Sequence, residues 1–195
     1  MSFLILGLAI FLGAHSVRIF AGDWRAAQIA RLGENGWKGV YSLTSAIGLG
    51  LIIWGYGLAR AETSMLWAPP TALRHLGAGL VLPAFILLVA AYLPGTRIKA
   101  RVGHPMVAGV KLWALAHLMA NGSLADMTLF GAFLAWAVAD FISARRRDRT
   151  VGRTYPVLGG SRDAIAIGIG FGAWALFAFY GHAWLIGVEP FRIGG

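Results

Sequence analysis

Leu124-Ala-Asp-Met-Thr-Leu-Phe-Gly-Ala-Phe-Leu-Ala-Trp-Ala-Val-Ala-Asp-Phe-Ile-Ser-Ala-Arg-Arg-Arg-Asp-Arg149 decides the class of this protein. Its first part, 124–143, is predominantly apolar and long enough to cross a hydrocarbon core about 30 Å thick at roughly 1.5 Å per residue. Arginines 145, 146, 147 and 149 follow at once. A basic flank of this kind holds one end of a span on the cytoplasmic side. Working outward, further apolar runs fall at 2–20, 37–59, 74–93, 105–120 and 164–188. The run at 105–120 is short and ends in Ala-Asn-Gly.

Composition agrees. Of 195 residues, 58% are hydrophobic and 13% charged, against roughly 45–50% and about 25% in soluble domains. Eight acids and 17 bases do not cover so apolar a chain, so a water-soluble globule is excluded. The predicted fold is an all-α integral membrane protein. One domain, residues 1–195, forms a bundle of about six transmembrane helices. The first run lacks a basic n-region and a small-residue cleavage site, so it reads as a retained helix. Pro83 is expected to kink the third span.

Lysine and arginine divide unevenly between the two sides. The 1–2, 3–4 and 5–6 connections with their flanks carry thirteen, the other side three (Arg60, Arg74 and Arg192), and Lys111 lies inside the fourth span. The positive-inside rule then puts those three connections in the cytoplasm and both termini on the periplasmic or exterior side of a bacterial inner membrane. Most of the formal +9 charge is therefore a topology signal touching acidic headgroups, and no nucleic-acid partner is implied. Gly168, Gly170 and Gly172 follow no strand and read as close helix packing. Trp37, Trp67 and Trp184 suit an aromatic belt.

With no cysteine in the chain, disulfides, iron–sulfur clusters and thiolate ligation are excluded, which leaves histidine as the soft ligand. The five histidines fall in two layers: His15 and His104 toward the cytoplasmic side, His75, His117 and His182 toward the exterior. His104 and His117 stand thirteen residues apart, roughly 20 Å of helix, and cannot share one ion. His104 precedes Pro105 at a helix start, where the macrodipole disfavours imidazolium. Position alone gives it a capping role or a ligand role. His15 has Arg18 on the same helical face, a pairing in which imidazole ligates haem iron while guanidinium holds a propionate; a hydrogen bond from His15 to a neighbouring carbonyl is the plainer alternative. Lys111 needs a partner at its depth, either an acid such as Asp140 or a bound anionic group. His117 and Asn121 are i,i+4 neighbours at a helix end.

The segments Gly13-Ala-His15-Ser-Val-Arg18, Gly36-Trp-Lys-Gly-Val-Tyr-Ser42, Gly103-His104-Pro105-Met106, Lys111-Leu-Trp-Ala-Leu-Ala-His117-Leu-Met-Ala-Asn121-Gly122 and Leu129–Asp140 occur in this order along essentially the whole chain. The pattern resembles NnrU-domain membrane proteins. That family includes bacterial proteins associated with nitrate and nitrite reduction, and the plastid 15-cis-zeta-carotene isomerase, which depends on haem b. The resemblance implies haem b as cofactor, His15 and His104 at the iron-ligand positions, and Arg18, Lys111 and His117 as further cofactor-binding residues. It implies either a cis–trans isomerase acting on a lipophilic polyene or a haem-based sensor or accessory factor of denitrification. The family usually continues Asn-Gly-Asp where Ser123 stands here. A weaker similarity, through the His-Pro element, is to isoprenylcysteine methyltransferases.

Overall fold

The first apolar run forms helix α1 (Ser2–Phe20), which turns at Ala21 and packs antiparallel on α2 (Gly22–Glu62). Glycine sets their separation. A Cβ at Gly48 would lie 2.7 Å from the Phe11 nitrogen, and one at Gly7 would lie 2.6 Å from the Ile52 nitrogen. Only a residue without a side chain lets two backbones come this close.

The computed structural model describes residues 1–62 and 64–191. In it α2 starts well before the expected 37. Residues 22–32 are already helical, and Gly33, at φ 73° and ψ 164°, breaks the helix before the span proper. Asp23, Arg25 and Arg31 lie in this leading piece and keep it out of the apolar run. The chain continues through α3 (Thr71–Tyr92), a short α4 (Arg97–Val102), α5 (Pro105–Ala120), α6 (Leu124–Thr150) and α7 (Gly160–Leu176). A π-helical turn, Phe177–Gly181, leads into α8 (His182–Ile186). α3 runs through Pro83 as one helix. Arg192, one of the three bases assigned to the exterior side, lies outside the described residues.

Among the described residues, five helices are long and apolar enough to cross a membrane: α1, α2, α3, α6 and the combined stretch Gly160–Ile186. α5, with 16 residues, spans roughly 24 Å and is the short member. The helices pack as a row, α2 on α1, α1 on α6, α6 on α5, α5 on α3 and α3 on α7, with α2 also touching α6. Leu4, Leu8, Ile52, Ala59, Ala125, Leu129 and Phe130 form the core where α1, α2 and α6 meet. Large side chains such as Ile53, Ile142 and Leu176 stay outside, while small ones such as Ala125, Ala137 and Ala166 are fully buried. That inverts the soluble rule and matches a bundle whose outer solvent is lipid. Of the three glycines on α7, Gly170 approaches the Ile86 backbone, whereas Gly168 and Gly172 face open space.

The connections join in two sets. At the arginine-rich end, the Leu158 amide donates to the Gly95 carbonyl at 2.9 Å and the Ile98 amide to Asp163 Oδ1 at 3.1 Å. At the opposite end, Leu66 N–H reaches the Gly122 carbonyl at 2.8 Å, and Met65 pairs with Ser123 as an isolated bridge.

Candidate functional site

His15 lies where α1, α2 and α6 come together. Its Nδ1 is 2.7 Å from the Phe11 carbonyl oxygen one turn back. A carbonyl only accepts, so Nδ1 carries a proton, and in the neutral ring Nε2 is the nitrogen left for a ligand. The ring stacks on Phe11 with centroids 4.2 Å apart and meets Tyr41 at 5.2 Å and Trp136, edge-on, at 5.9 Å. The indole Nε1 of Trp136 is buried without a hydrogen-bond partner. Arg18, one turn further along, is exposed, and its guanidinium makes no ion pair among the described residues.

His104 sits in a different setting. It is the residue before Pro105 at the start of α5, and its Nε2 comes within 2.9 Å of Asp148 Oδ2 near the end of α6. The approach is off the N–H axis, so Nε2 has no aligned hydrogen bond. Tyr155, in the connection after α6, donates its hydroxyl to the same Oδ2 at 2.8 Å. Asp148 is only 7% exposed. Burial, followed by the hydrogen bond and the negative charge of Asp148, pushes the Tyr155 phenol above its usual range. The network joins the α5 start, the α6 end and the following connection, and no sequence spacing foretold it.

The two histidines expected to share an iron stand against different stretches of α6. His15 meets α6 at Trp136, and His104 meets it at Phe141 and Asp148. Phe141 and Asp148 lie five and twelve residues past Trp136, roughly 7.5 and 18 Å along α6. α1 and α5 make no direct contact among the described residues. His15 thus has the donor chemistry of an axial ligand, with the far ring nitrogen fixed to a carbonyl. His104 brings its Nε2 within 2.9 Å of the Asp148 carboxylate without an aligned hydrogen bond.

Lys111 does not pair with Asp140. Its Nζ stands 3.6 Å from the centre of the Phe141 ring, a cation–π contact, while Asp140 lies 3.8 Å from an Arg147 nitrogen. Arg147, about two turns further along α6, is both closer and always charged, which explains the exchange.

At the opposite end, His117 directs Nδ1 to the Trp113 carbonyl at 2.8 Å and stacks on Phe130 at 4.5 Å. Asn121 caps the same helix by donating to the His117 carbonyl at 2.9 Å. Asp126, 7% exposed, accepts from the Tyr56 hydroxyl at 2.5 Å and from Ser123 Oγ at 2.7 Å. Ser123 and Asp126 complete a reciprocal capping box at the start of α6. His75, in the first turn of α3, is exposed. Two crevices, of about 580 and 530 Å³, lie elsewhere, one along Ala175–Tyr180 and one between Leu88–Leu93 and Ile169.

No curated protein and no solved structure matches the chain. A family model described as NnrU protein matches residues 3–190. That match takes in every helix of the bundle and both histidine layers, so the chain belongs to the NnrU family.

Proposed function

We propose that this chain is a haem-b-binding protein of the bacterial inner membrane, with His15 supplying an axial nitrogen. The observation that carries the reading is the His15 setting. An imidazole with Nδ1–H on the Phe11 carbonyl is held among the rings of Phe11, Tyr41 and Trp136, and Trp136 Nε1 is buried without a partner. Buried polar atoms without partners are costly and mark a place for something to bind. Arg18 is free to meet a propionate, and Lys111, which has no carboxylate partner among the described residues, suits a second anionic group. When bound, haem supplies an iron centre able to interact with a polyene or a small gaseous ligand. The resemblance to carotene isomerase favours cis–trans isomerisation of a lipophilic polyene without net redox change. The thirteen-to-three distribution of basic residues supports a cytoplasmic placement of the arginine-rich end and exterior termini.

An absorption spectrum of detergent-purified protein from haem-replete cells tests the reading. A Soret band is expected, lost in His15→Ala and retained in His104→Ala. A wild-type protein without the band overturns haem binding. A band lost equally in both variants would restore the His15–His104 pair and refute the assignment to His15 alone.

A further inference from the structure

Between α3 and α7 the outer surface is apolar, and at the arginine-rich end it becomes basic. A crevice of about 530 Å³ opens there, lined by Leu88, Val89, Tyr92, Leu93 and Ile169. The two helices pack on a narrow seam. Gly170 lies so close to α3 that a Cβ would stand 2.7 Å from the Ile86 Cα, and Ala90 and Ala166 are fully buried. Leu88, Tyr92 and Ile169 instead remain 44, 75 and 55% exposed. Small residues inside and large ones outside leave a furrow whose walls face hydrocarbon.

Three cations gather where the furrow ends. Arg162 donates to the Pro94 carbonyl at 3.0 Å, and Lys99 Nζ donates to the Ala91 carbonyl at 2.7 Å. Both carbonyls flank Tyr92 and Leu93, so both charges are drawn to the crevice wall. Arg97 folds over the start of α7, with guanidinium nitrogens 3.7 and 4.0 Å from where a Cβ on Gly160 would stand. Arg162 and Ile169 are seven residues apart on α7, about two turns, and share one face of it. None of the three bases has a carboxylate within 4.0 Å among the described residues. Asp163, next to Arg162, instead accepts the Ile98 amide at 3.1 Å. A carbonyl uses only one of the several N–H donors on each base, so donors remain.

From these observations we infer that the α3–α7 furrow binds one anionic phospholipid, with its phosphate on Arg97, Lys99 and Arg162 and an acyl chain in the crevice. Charge selects the occupant. Guanidinium matches a phosphate in fork geometry and lysine meets it as a point charge, whereas in a zwitterionic lipid the amine offsets the phosphate. An acyl chain gains little by leaving one hydrocarbon setting for another, so the headgroup sets the preference and the crevice sets the position. General attraction of basic loops to acidic headgroups would spread over every arginine at this end. This site singles out three bases and a place between two helices. It uses no histidine and is independent of the haem reading.

The test uses the full chain in detergent, titrated with phosphatidylglycerol, with phosphatidylcholine of the same acyl chains and with water-soluble glycerol phosphate, the bound molecules being counted by native mass spectrometry. One phosphatidylglycerol is expected to bind, more tightly than phosphatidylcholine, and glycerol phosphate is expected not to bind. Affinity should fall about fivefold in Arg97→Gln or Arg162→Gln and about twenty-five-fold in the pair. Arg162→Lys keeps the charge and should stay within about twofold of wild type. Ile169→Trp fills the crevice and should weaken binding about as far as Arg162→Gln. Arg149→Gln lies on α6, which makes no contact with α3 or α7 among the described residues, and should bind like wild type. Equal affinity for the two lipids, an equal loss in Arg149→Gln, or undiminished binding in the Arg97→Gln, Arg162→Gln pair overturns the site. So does a loss in Arg162→Gln that Arg162→Lys shares, which would mark a purely structural role, or glycerol phosphate binding as tightly as the lipid, which would mark a site for a free anion.

Discussion

The hydrogen bond between Tyr56 and Asp126 joins α2 to α6 and allows the packing of the bundle to be tested at one atom. The hydroxyl donates to Oδ1 at 2.5 Å, within the short range of charge-assisted O–H···O⁻ bonds. Oδ2 is occupied by Ser123 Oγ at 2.7 Å and the Ser123 amide at 3.1 Å. Tyr56→Phe therefore keeps the ring and removes one donor from a buried carboxylate that has no spare partner. Hydrogen bonds between membrane helices average about 0.6 kcal/mol and reach about 1.7, whereas bonds to charged groups in proteins are worth roughly 1.5–3 kcal/mol. A short, charged, buried bond belongs where these ranges meet, at about 1.5 kcal/mol. Asp126→Asn costs a similar amount and additionally weakens the capping box by about 1 kcal/mol. The assay is a double-mutant cycle by reversible unfolding in mixed micelles, with Tyr56→Phe, Asp126→Asn and the pair. The coupling is expected to be about 1.5 kcal/mol. A value below about 0.5 kcal/mol would refute the view that this bond fastens α2 to α6.

Two further outcomes follow from the other contacts. The raised Tyr155 pKa has a definite sign: its stabilising contribution is complete below the ordinary phenol value near 10.0 and is lost as pH rises through the higher folded value. Ultraviolet titrations of wild type and Tyr155→Phe should differ by one late-ionising tyrosine, and that tyrosine should move back toward the ordinary value in Asp148→Asn; an unshifted titration in Asp148→Asn would count against the network. Gly48→Leu should cost more than the ordinary 1–3 kcal/mol of overpacking, because its Cβ would meet the Phe11 backbone at 2.7 Å, and it should also weaken any ligand held by His15 one turn away. Gly50→Leu, whose Cβ meets nothing within 4 Å, is the matched control and should unfold like wild type.

The spans were legible because membrane crossing requires a local property, a continuous apolar run, and each run can be read without knowing its neighbours. The start of α2 was not legible, because residues 22–32 are helical yet carry three charges, and only the backbone at Gly33 separates them from the span. The close approach of α1 and α2 also escaped the sequence, since Gly7, Gly48 and Gly55 are only three of 27 glycines and gain meaning when two helices are superposed in register. Site residues divide in the same way. His15 with its i−4 carbonyl bond is a local feature, and depth counting found it. The Asp148 network needs three separate elements, and the partner of Lys111 depended on Arg147 reaching Asp140 first. The π-helical turn before His182 left no signal in Phe-Ala-Phe-Tyr-Gly, which reads as ordinary helix.

α6 gives the two ends of the molecule a common ruler. Asp126 and Asp148 are 22 residues apart, roughly 33 Å of helix, close to the thickness of a hydrocarbon core of about 30 Å. Each buried acid therefore belongs at an interface, where Tyr56 and Ser123 complete one and Tyr155 the other. His117 contacts α6 at Phe130, one turn from the first acid, and His104 contacts it at the second. His15 contacts it at Trp136, roughly 15 Å from the first and 18 Å from the second. In the neutral imidazole, Nε2 keeps a lone pair that meets no hydrogen-bond donor among the described residues, and a bare lone pair in an apolar setting costs free energy. A ligand for Nε2 removes that cost. His104 Nε2 is likewise buried without an aligned hydrogen bond, so His15 and His104 are the two residues to mutate first.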